Sequence, residues 1–421
     1  MKRIHLSLKG RLAFALAFLL LFGGGAGVAY GAETAAQPDD YHIVALGDSI
    51  TVGYEPKVEY TVASPPYGYA ERLYEQALLH GRASLSNYGI AGLKSSGLKT
   101  FVSAIGSGTP ITADAIQPGL PDPRTNEFGA AAAKIRQELA SADLVAITVG
   151  GNDVSALLTS ASALSDADLA AQVASLLSEY TGNMTAVLDV LHEINPHASV
   201  VIADQYQPLP VIGGKELYAK LTSATDAFTA NLDKLAAGYS AKGADVKVAH
   251  VAKEFVGREG VLTHMVKDRD FHPTQEGYAV IASTFAAAVW GANIDLAAPA
   301  AGSPMNIYAV GKKLDTPYKP VLKKGVNYIA IQDIVQAVGA KTVWDAKTST
   351  ANIKYGSLTV GVKIGASTVT VNGVAVPVDS PAYLQQVGKE SKTYVPLATV
   401  AKGLGFGVTY IAHLKTVFIN P

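Results

Sequence analysis

Cysteine is absent from this 421-residue chain. That excludes a disulfide scaffold, thiolate zinc or iron–sulfur ligation and a cysteine nucleophile together. Charge is scarce as well: 16% of residues are Asp, Glu, Lys or Arg, and the formal net charge is −1. Such a balance argues against a nucleic-acid partner. Long apolar runs are missing too. The run Leu12–Phe22 has eleven residues, against about 20 for a membrane span. No cluster of His and carboxylates shows metal-ligand spacing, so no catalytic metal and no cofactor is expected. What is plentiful is apolar side chain, 49% of the sequence. That is too much for a disordered chain, and the length allows more than one domain.

Lys2, Arg3, Lys9 and Arg11 flank the start of the short apolar run, and Ala29-Tyr30-Gly31 follows it with cleavage-site spacing. This pattern predicts a secretory signal over residues 1–32 and a mature chain, secreted or held at the cell envelope, with no transmembrane helix. Charge then divides the remainder. Residues 305–421 carry 13 Lys, no Arg and five acids, a net of +8, whereas residues 33–304 carry a net of −13. The Ala/Pro/Gly-rich stretch at 294–304 between them has linker composition.

The acidic part alternates strand and helix signals. Ile43–Leu46, Ala83–Ser86, Leu144–Val149, Ser199–Ala203 and Val246–Val251 read as strands, most of them short apolar runs. Helical spacing covers Tyr69–His80, Ala130–Ala140, Leu169–Ile194, Glu216–Tyr239 and Gln275–Trp290. Regular alternation implies an α/β/α fold with a parallel sheet, whose ligands bind where the strands' carboxyl ends open into loops.

Four segments carry chemistry at such positions. Gly47-Asp48-Ser49 follows the first strand, where a Ser on a strand-to-helix turn is exposed beside backbone N–H groups able to face an oxyanion. It is not the G-x-S-x-G elbow of α/β-hydrolases. Asn87–Gly92 follows a second strand, and Gly92 would let a backbone N–H approach a substrate with no Cβ in the way. Gly150-Gly151-Asn152-Asp153 offers a side-chain amide as an oxyanion donor at Asn152, with a helix cap as the plainer reading. His272-Pro273-Thr274 precedes the last helix, which Thr274 can cap, and a His fixed there can take a proton from Ser49. Each segment alone is ordinary turn chemistry; the four in this order match the parts a serine hydrolase needs.

In that combination the chain resembles the SGNH hydrolases, the GDSL esterase/lipase family, over about residues 41–293. The resemblance implies that Ser49 is the nucleophile and His272 the general base. It also implies an oxyanion hole made of the N–H groups of Ser49 and Gly92 and the amide of Asn152. One departure stands out. The family usually places an Asp three residues before the catalytic His, and here that position is Arg269. Asp270 is favoured as the acid, since a tight turn before Pro273 can bring it onto the ring. Asp268 and a backbone carbonyl are the alternatives. His264 is the rival base, while His192 on a long helix and His250 on a strand are expected to be packed or solvated. Asp153 is expected to brace its loop.

The expected activity is hydrolysis of a carboxylic ester through an acyl-enzyme. De-O-acetylation of a polysaccharide competes with short-chain lipase or thioesterase activity, and a non-catalytic wall-binding protein is the reading from another class. The loops Tyr54–Tyr67 and 104–126 and the segment Gln205-Tyr206-Gln207 are expected to form the pocket.

Residues 305–421 contain an internal repeat. Tyr328-Ile329-Ala330-Ile331 and Tyr394-Val395-Pro396-Leu397 stand 66 residues apart, and Gly339 with Gly405 and Ile353 with Ile419 keep that offset. Each unit reads as a Tyr-led strand, a short helix, a Gly and two strands, with Asn372-Gly373 as a hairpin turn and both tyrosines in the core. This α+β region resembles the copper amine oxidase N-terminal-like domain. Its one His, one Met and no Cys are too few soft ligands for a copper site. Its positive charge suggests attraction to an anionic wall polymer or a membrane surface, with a soluble spacer bearing a lysine-rich face as the alternative.

Overall fold

The computed structural model describes residues 40–61, 64–378 and 380–421; the expected signal at 1–32 lies outside them. Five strands, β1 (Tyr41–Gly47), β2 (Ala83–Gly89), β3 (Leu144–Thr148), β4 (Ser199–Ala203) and β5 (Val246–Ala249), form one parallel sheet in the order β2-β1-β3-β4-β5. Successive side chains of a strand point to opposite faces. Val44, Leu46, Val145, Ile147, Val200 and Ile202 therefore enter one core. Ile43, Ala45, Leu144, Ala146, Val201 and Ala203 enter the other. Both faces are covered, which is why these strands read as continuous apolar runs rather than alternating ones.

Helices Ser95–Ser107, Asp166–Ile194 and Lys215–Ser240 close the first face. On the second lie α2 (Tyr69–Ala77) and the helix Gln275–Trp290; α1 (Ser49–Val52) is the single turn that follows β1. In a sheet of this order the chain reverses direction between β1 and β3, and the crevice at their carboxyl ends is where ligands bind.

Two expectations are corrected. The segment 104–126 is not a continuous loop, for it begins inside the helix Ser95–Ser107 and holds the turn Ala113–Ile116. Ser, Thr and Gly dilute the helical signal there. Leu98, Phe101, Val102 and Ile105, all fully buried, nevertheless keep the i, i+3, i+4, i+7 spacing that pins a helix to a core. His250 is not on a strand: β5 ends at Ala249 and a short helix starts at Val251.

The C-terminal region is a separate strand-rich domain with its own core around Ile329, Ile353, Val395, Val400 and Ile419. Its units repeat as the strand Val326–Ala330 and helix Ile331–Ala337, then the strand Glu390–Pro396 and helix Leu397–Gly403. Tyr328 and Tyr394 are buried within it. Asn372 and Gly373 both take positive φ (50° and 84°) between paired strands, as a two-residue hairpin requires. Among the described residues no helix is long and apolar enough to cross a membrane.

Candidate active site

The site begins at the end of β1. Gly47 has φ 136°, and a Cβ there would sit 1.9 Å from the carbonyl oxygen of Thr148 on β3, so only glycine lets the two strand ends meet. Asp48 caps α1 by accepting the backbone N–H of Ile50 at 3.0 Å, and it accepts the Thr148 hydroxyl at 3.0 Å. Burial pushes its carboxyl up to about 7, against the lowering effect of those two hydrogen bonds. Ser49 is then the first residue of α1, where a backbone N–H has no helical acceptor. The Ser49 backbone N–H donates to none of the described residues.

His272 lies 223 positions away in sequence, and its Nε2 stands 2.8 Å from Ser49 Oγ. On the far side of the ring, Asp270 Oδ1 is 2.6 Å from Nδ1 and also accepts the His272 backbone N–H at 2.8 Å. A proton on Nδ1 leaves Nε2 as the acceptor for the serine hydroxyl, which is the tautomer that base catalysis needs. Burial alone would raise the Asp270 carboxyl. Hydrogen bonds from the His272 ring and backbone outweigh it and hold the group below the usual carboxylate value. Arg269, in the position where the family usually has its acid, takes a left-handed conformation (φ 55°) that ends the preceding helical turn. Thr274 caps the next helix through the N–H of Gly277 at 3.2 Å. Phe271 is held in turn by the Tyr206 hydroxyl, which donates to its carbonyl at 2.9 Å.

The other acids and histidines go elsewhere. Asp268 meets Lys57 at 2.5 Å and His264 Nδ1 at 3.1 Å. His264 Nε2 faces Glu55 at 3.0 Å, so its ring is fully engaged away from Ser49. His250 stands 3.6 Å from both Asp204 and Asp233, and His192 is exposed on its helix. Asp153 accepts the backbone N–H and hydroxyl of Ser95 and so ties the loop after β3 to the helix at 95–107.

Two further donors, Asn152 and Gly92, sit just past the ends of β3 and β2. Asn152 lines the same cavity as Ser49, and its amide donates to the carbonyl of Leu93 at 2.9 Å, which leaves its second N–H for another acceptor. Gly92, the neighbour of Leu93, sits at φ 81° with its N–H donating to none of the described residues. The support of that turn was not visible in the motifs. Asp122 accepts the N–H of Ala91 at 2.9 Å and pairs with Arg124 at 2.8 Å, while Arg124 donates to the carbonyl of Gly89. Both side chains are buried. Burial would raise the Asp122 carboxyl, but the hydrogen bonds from Arg124 and Ala91 prevail and keep it below its usual value. The Pro121-Asp122-Pro123-Arg124 run was the available signal.

Ser49 and Asn152 open onto a cavity with a predominantly apolar lining, open on one side to solvent. Val154, Leu157, Leu177, Leu221, Phe228 and Phe271 are among its walls, with Gln205, Tyr206 and Gln207 at one side. The described residues of the Tyr54–Tyr67 loop do not line it; Tyr54 instead sets its ring edge against that of His272, 4.5 Å between centroids. The segment 104–126 contributes none of its walls either.

A serine, a histidine and a carboxylate in line, beside free backbone donors at the switch point of a doubly wound sheet, define a serine hydrolase. The chain belongs to the GDSL-like lipase/acylhydrolase family, whose model matches residues 45–280, and it is an SGNH-type enzyme acting on ester bonds. Residues 308–419 match the copper amine oxidase N-terminal domain. Copper does not fit there: the one His of that region, His413, directs Nε2 at Glu75, 3.1 Å away. Among solved structures the chain is similar to the lipase Lip_vut3 from a goat rumen metagenome, at 20% identity over 59% of this chain and 96% of that one, TM-score 0.41. It is also similar to an extracellular lipase from Streptomyces rimosus, at 18% identity over 60% and 99% of the two chains, TM-score 0.40. A phospholipase A1 from Streptomyces albidoflavus NA297 aligns at 19% identity over 61% and 100%, TM-score 0.40. No curated protein matches.

Proposed function

We propose that this enzyme cleaves esters of acyl chains longer than acetyl through a covalent acyl-serine. In this reading Ser49 Oγ attacks the ester carbonyl while His272 takes its proton, and Asp270 holds the ring in the required tautomer. The N–H groups of Ser49 and Gly92 and the Asn152 amide stabilise the oxyanion, a contribution of about 3 kcal/mol or more for each well-placed donor. His272 then protonates the leaving alkoxide. Water repeats the sequence on the acyl-enzyme, releases the carboxylic acid and restores Ser49.

The apolar cavity beside Ser49 and Asn152 carries the choice of substrate. Its walls offer an acyl chain apolar contact that an acetyl group is too short to use, and each methylene buried there adds about 0.8 kcal/mol of binding. The test compares p-nitrophenyl acetate, butyrate and octanoate with the chain from residue 33 and its Ser49→Ala variant. A serine-dependent kcat/KM that rises with chain length supports the reading. A preference for acetate would return the substrate to an O-acetylated polysaccharide, and hydrolysis equal in both proteins would remove Ser49 from the reaction.

For location we propose an exported enzyme held near anionic envelope polymer. The signal-like N-terminus and the exposed Lys312, Lys313, Lys323, Lys324, Lys341 and Lys354 support this. Co-sedimentation of the full chain with purified cell walls at low and high salt tests it. No pelleting at low salt would refute the contact.

A further inference from the structure

The catalytic constellation uses only residues before 293, yet the C-terminal domain is fastened to the element that leads into it. Leu78 and Leu79, just past α2, share one buried apolar cluster with Tyr308 and Phe418 of the C-terminal domain. The buried amide of Asn420 donates to the carbonyls of Leu78 and Gly81 at 2.8 and 2.6 Å, and Arg82 donates to the carbonyl of Gly405 at 2.7 Å. At Gly311 a Cβ would stand 2.4 Å from the Leu79 carbonyl oxygen. Buried apolar packing with direct hydrogen bonds across it makes a fixed joint rather than a flexible tether.

From this joint His413 reaches to the active-site loop. Its Nε2 lies 3.0 Å from the Tyr67 hydroxyl and 3.1 Å from Glu75 Oε1, and its ring meets the Tyr67 ring edge-on at 4.5 Å. Tyr67 donates in turn to Glu75 at 2.9 Å. The carbonyl of Tyr67 accepts Gln275 Nε2 at 2.9 Å, and the same amide donates to Glu55 at 2.7 Å. Glu55 holds His264, whose backbone N–H donates to the carbonyl of His272 at 3.0 Å. At the near end of the loop, Tyr54 lies against the His272 ring, and its carbonyl accepts the Tyr278 hydroxyl at 2.6 Å. An unbroken set of polar contacts thus runs from the C-terminal domain to the backbone of the general base.

We propose that the C-terminal domain is a working part of the hydrolase, and that His413 is a positioning residue which, through Tyr67, Gln275 and Glu55, sets the placement of His272. This rests on the reading of Ser49 and His272 given above. His413 is half-exposed and belongs to a turn, so its replacement does not open a core. Such a residue acts on the chemical step and not on the acyl cavity, which it does not touch.

The test uses the full chain with His413→Ala, His413→Gln, Tyr67→Phe and the double variant His413→Ala/Tyr67→Phe, assayed on p-nitrophenyl butyrate with melting curves alongside. The expected result is a fall in kcat of about threefold to tenfold for His413→Ala with KM nearly unchanged. Restoration by His413→Gln, whose amide can still donate to Tyr67, is expected as well. The double variant should be no slower than the worse single one, since both cut the same connection. Serine-dependent hydrolysis with a kcat that His413→Ala leaves untouched, even if the melting point drops, would overturn the inference alone. Hydrolysis that survives Ser49→Ala would overturn the reading of the site, and this inference with it.

Discussion

The side-chain amide of Asn152 donates to the carbonyl of Leu93 at 2.9 Å, so the loop after β3 and the turn after β2 are fastened to each other. The amide donor and the Gly92 N–H therefore move as one unit, and that unit rests on the Asp122–Arg124 pair. Removing one member of a buried ion pair strands the other charge, at a cost of about 3–5 kcal/mol. Asp122→Asn is expected to lower the melting temperature sharply. Under conditions where it remains folded, kcat should fall with KM little changed. Calorimetry with steady-state kinetics checks both, and an unchanged kcat would detach the pair from the oxyanion donors.

Asp270 and Asp268 make a direct comparison. Asp270 touches both the backbone and the ring of His272, while Asp268 is spent on Lys57 and His264. Asp270→Ala should lower kcat by about 10²- to 10⁴-fold, in line with the loss of the orienting acid elsewhere. Asp268→Ala should cost less than about tenfold and act mainly on the stability of the 264–272 segment. The reverse order of the two kcat values would transfer the role to Asp268.

Asp48 gives a pH dependence. Its carboxyl is raised to about 7 in the folded chain by burial, against a usual value near 3.8. Between those values the folded state binds more protons than the unfolded one. The stability this group contributes is complete below about pH 4 and is lost as pH rises through about 7. Asp48→Asn keeps an oxygen acceptor for Ile50 and Thr148 and removes the titration. The variant should therefore gain on the wild type from pH 5 to pH 8 by on the order of 1–3 kcal/mol. Chemical denaturation at the two pH values measures it; a difference that does not grow with pH contradicts the burial argument.

Leu177 lines the cavity from the helix Asp166–Ile194. Leu177→Phe fills part of that space and should cut kcat/KM for octanoate by about tenfold or more while leaving acetate within about twofold, as one to three kcal/mol of pocket discrimination allows. Equal losses on both esters would place the acyl chain elsewhere.

What could be read in advance was local. β1, β3 and β4 are apolar runs closed by glycine or a polar turn, and the long amphipathic helices between them leave few other arrangements. Ser49, Asn152 and His272 each follow or precede a boundary that the sequence marks. Asp270 could be favoured because a tight turn before Pro273 can bring a carboxylate two positions back onto the imidazole. The helix Ser95–Ser107 was hidden because its surface residues have poor helix propensity and its burial comes from partners far along the chain. The Asp122–Arg124 support was hidden for the same reason: 31 positions separate Asp122 from the Ala91 it serves. His413 looked like a lone histidine on a repeat, since its partner Tyr67 lies 346 residues away.

The short reach from Asp270 to His272 has a wider consequence. One carboxylate oxygen of Asp270 takes both the backbone N–H and the ring of His272, so the acid meets the imidazole two residues ahead of it instead of the family's usual three. The gap between acid and base in a sequence is then a record of the backbone's route and not a property of the chemistry. A search keyed to a fixed gap passes over Asp270. One that allows a short turn ahead of His-Pro would recover it, along with any other enzyme that reaches the same geometry by a shorter path.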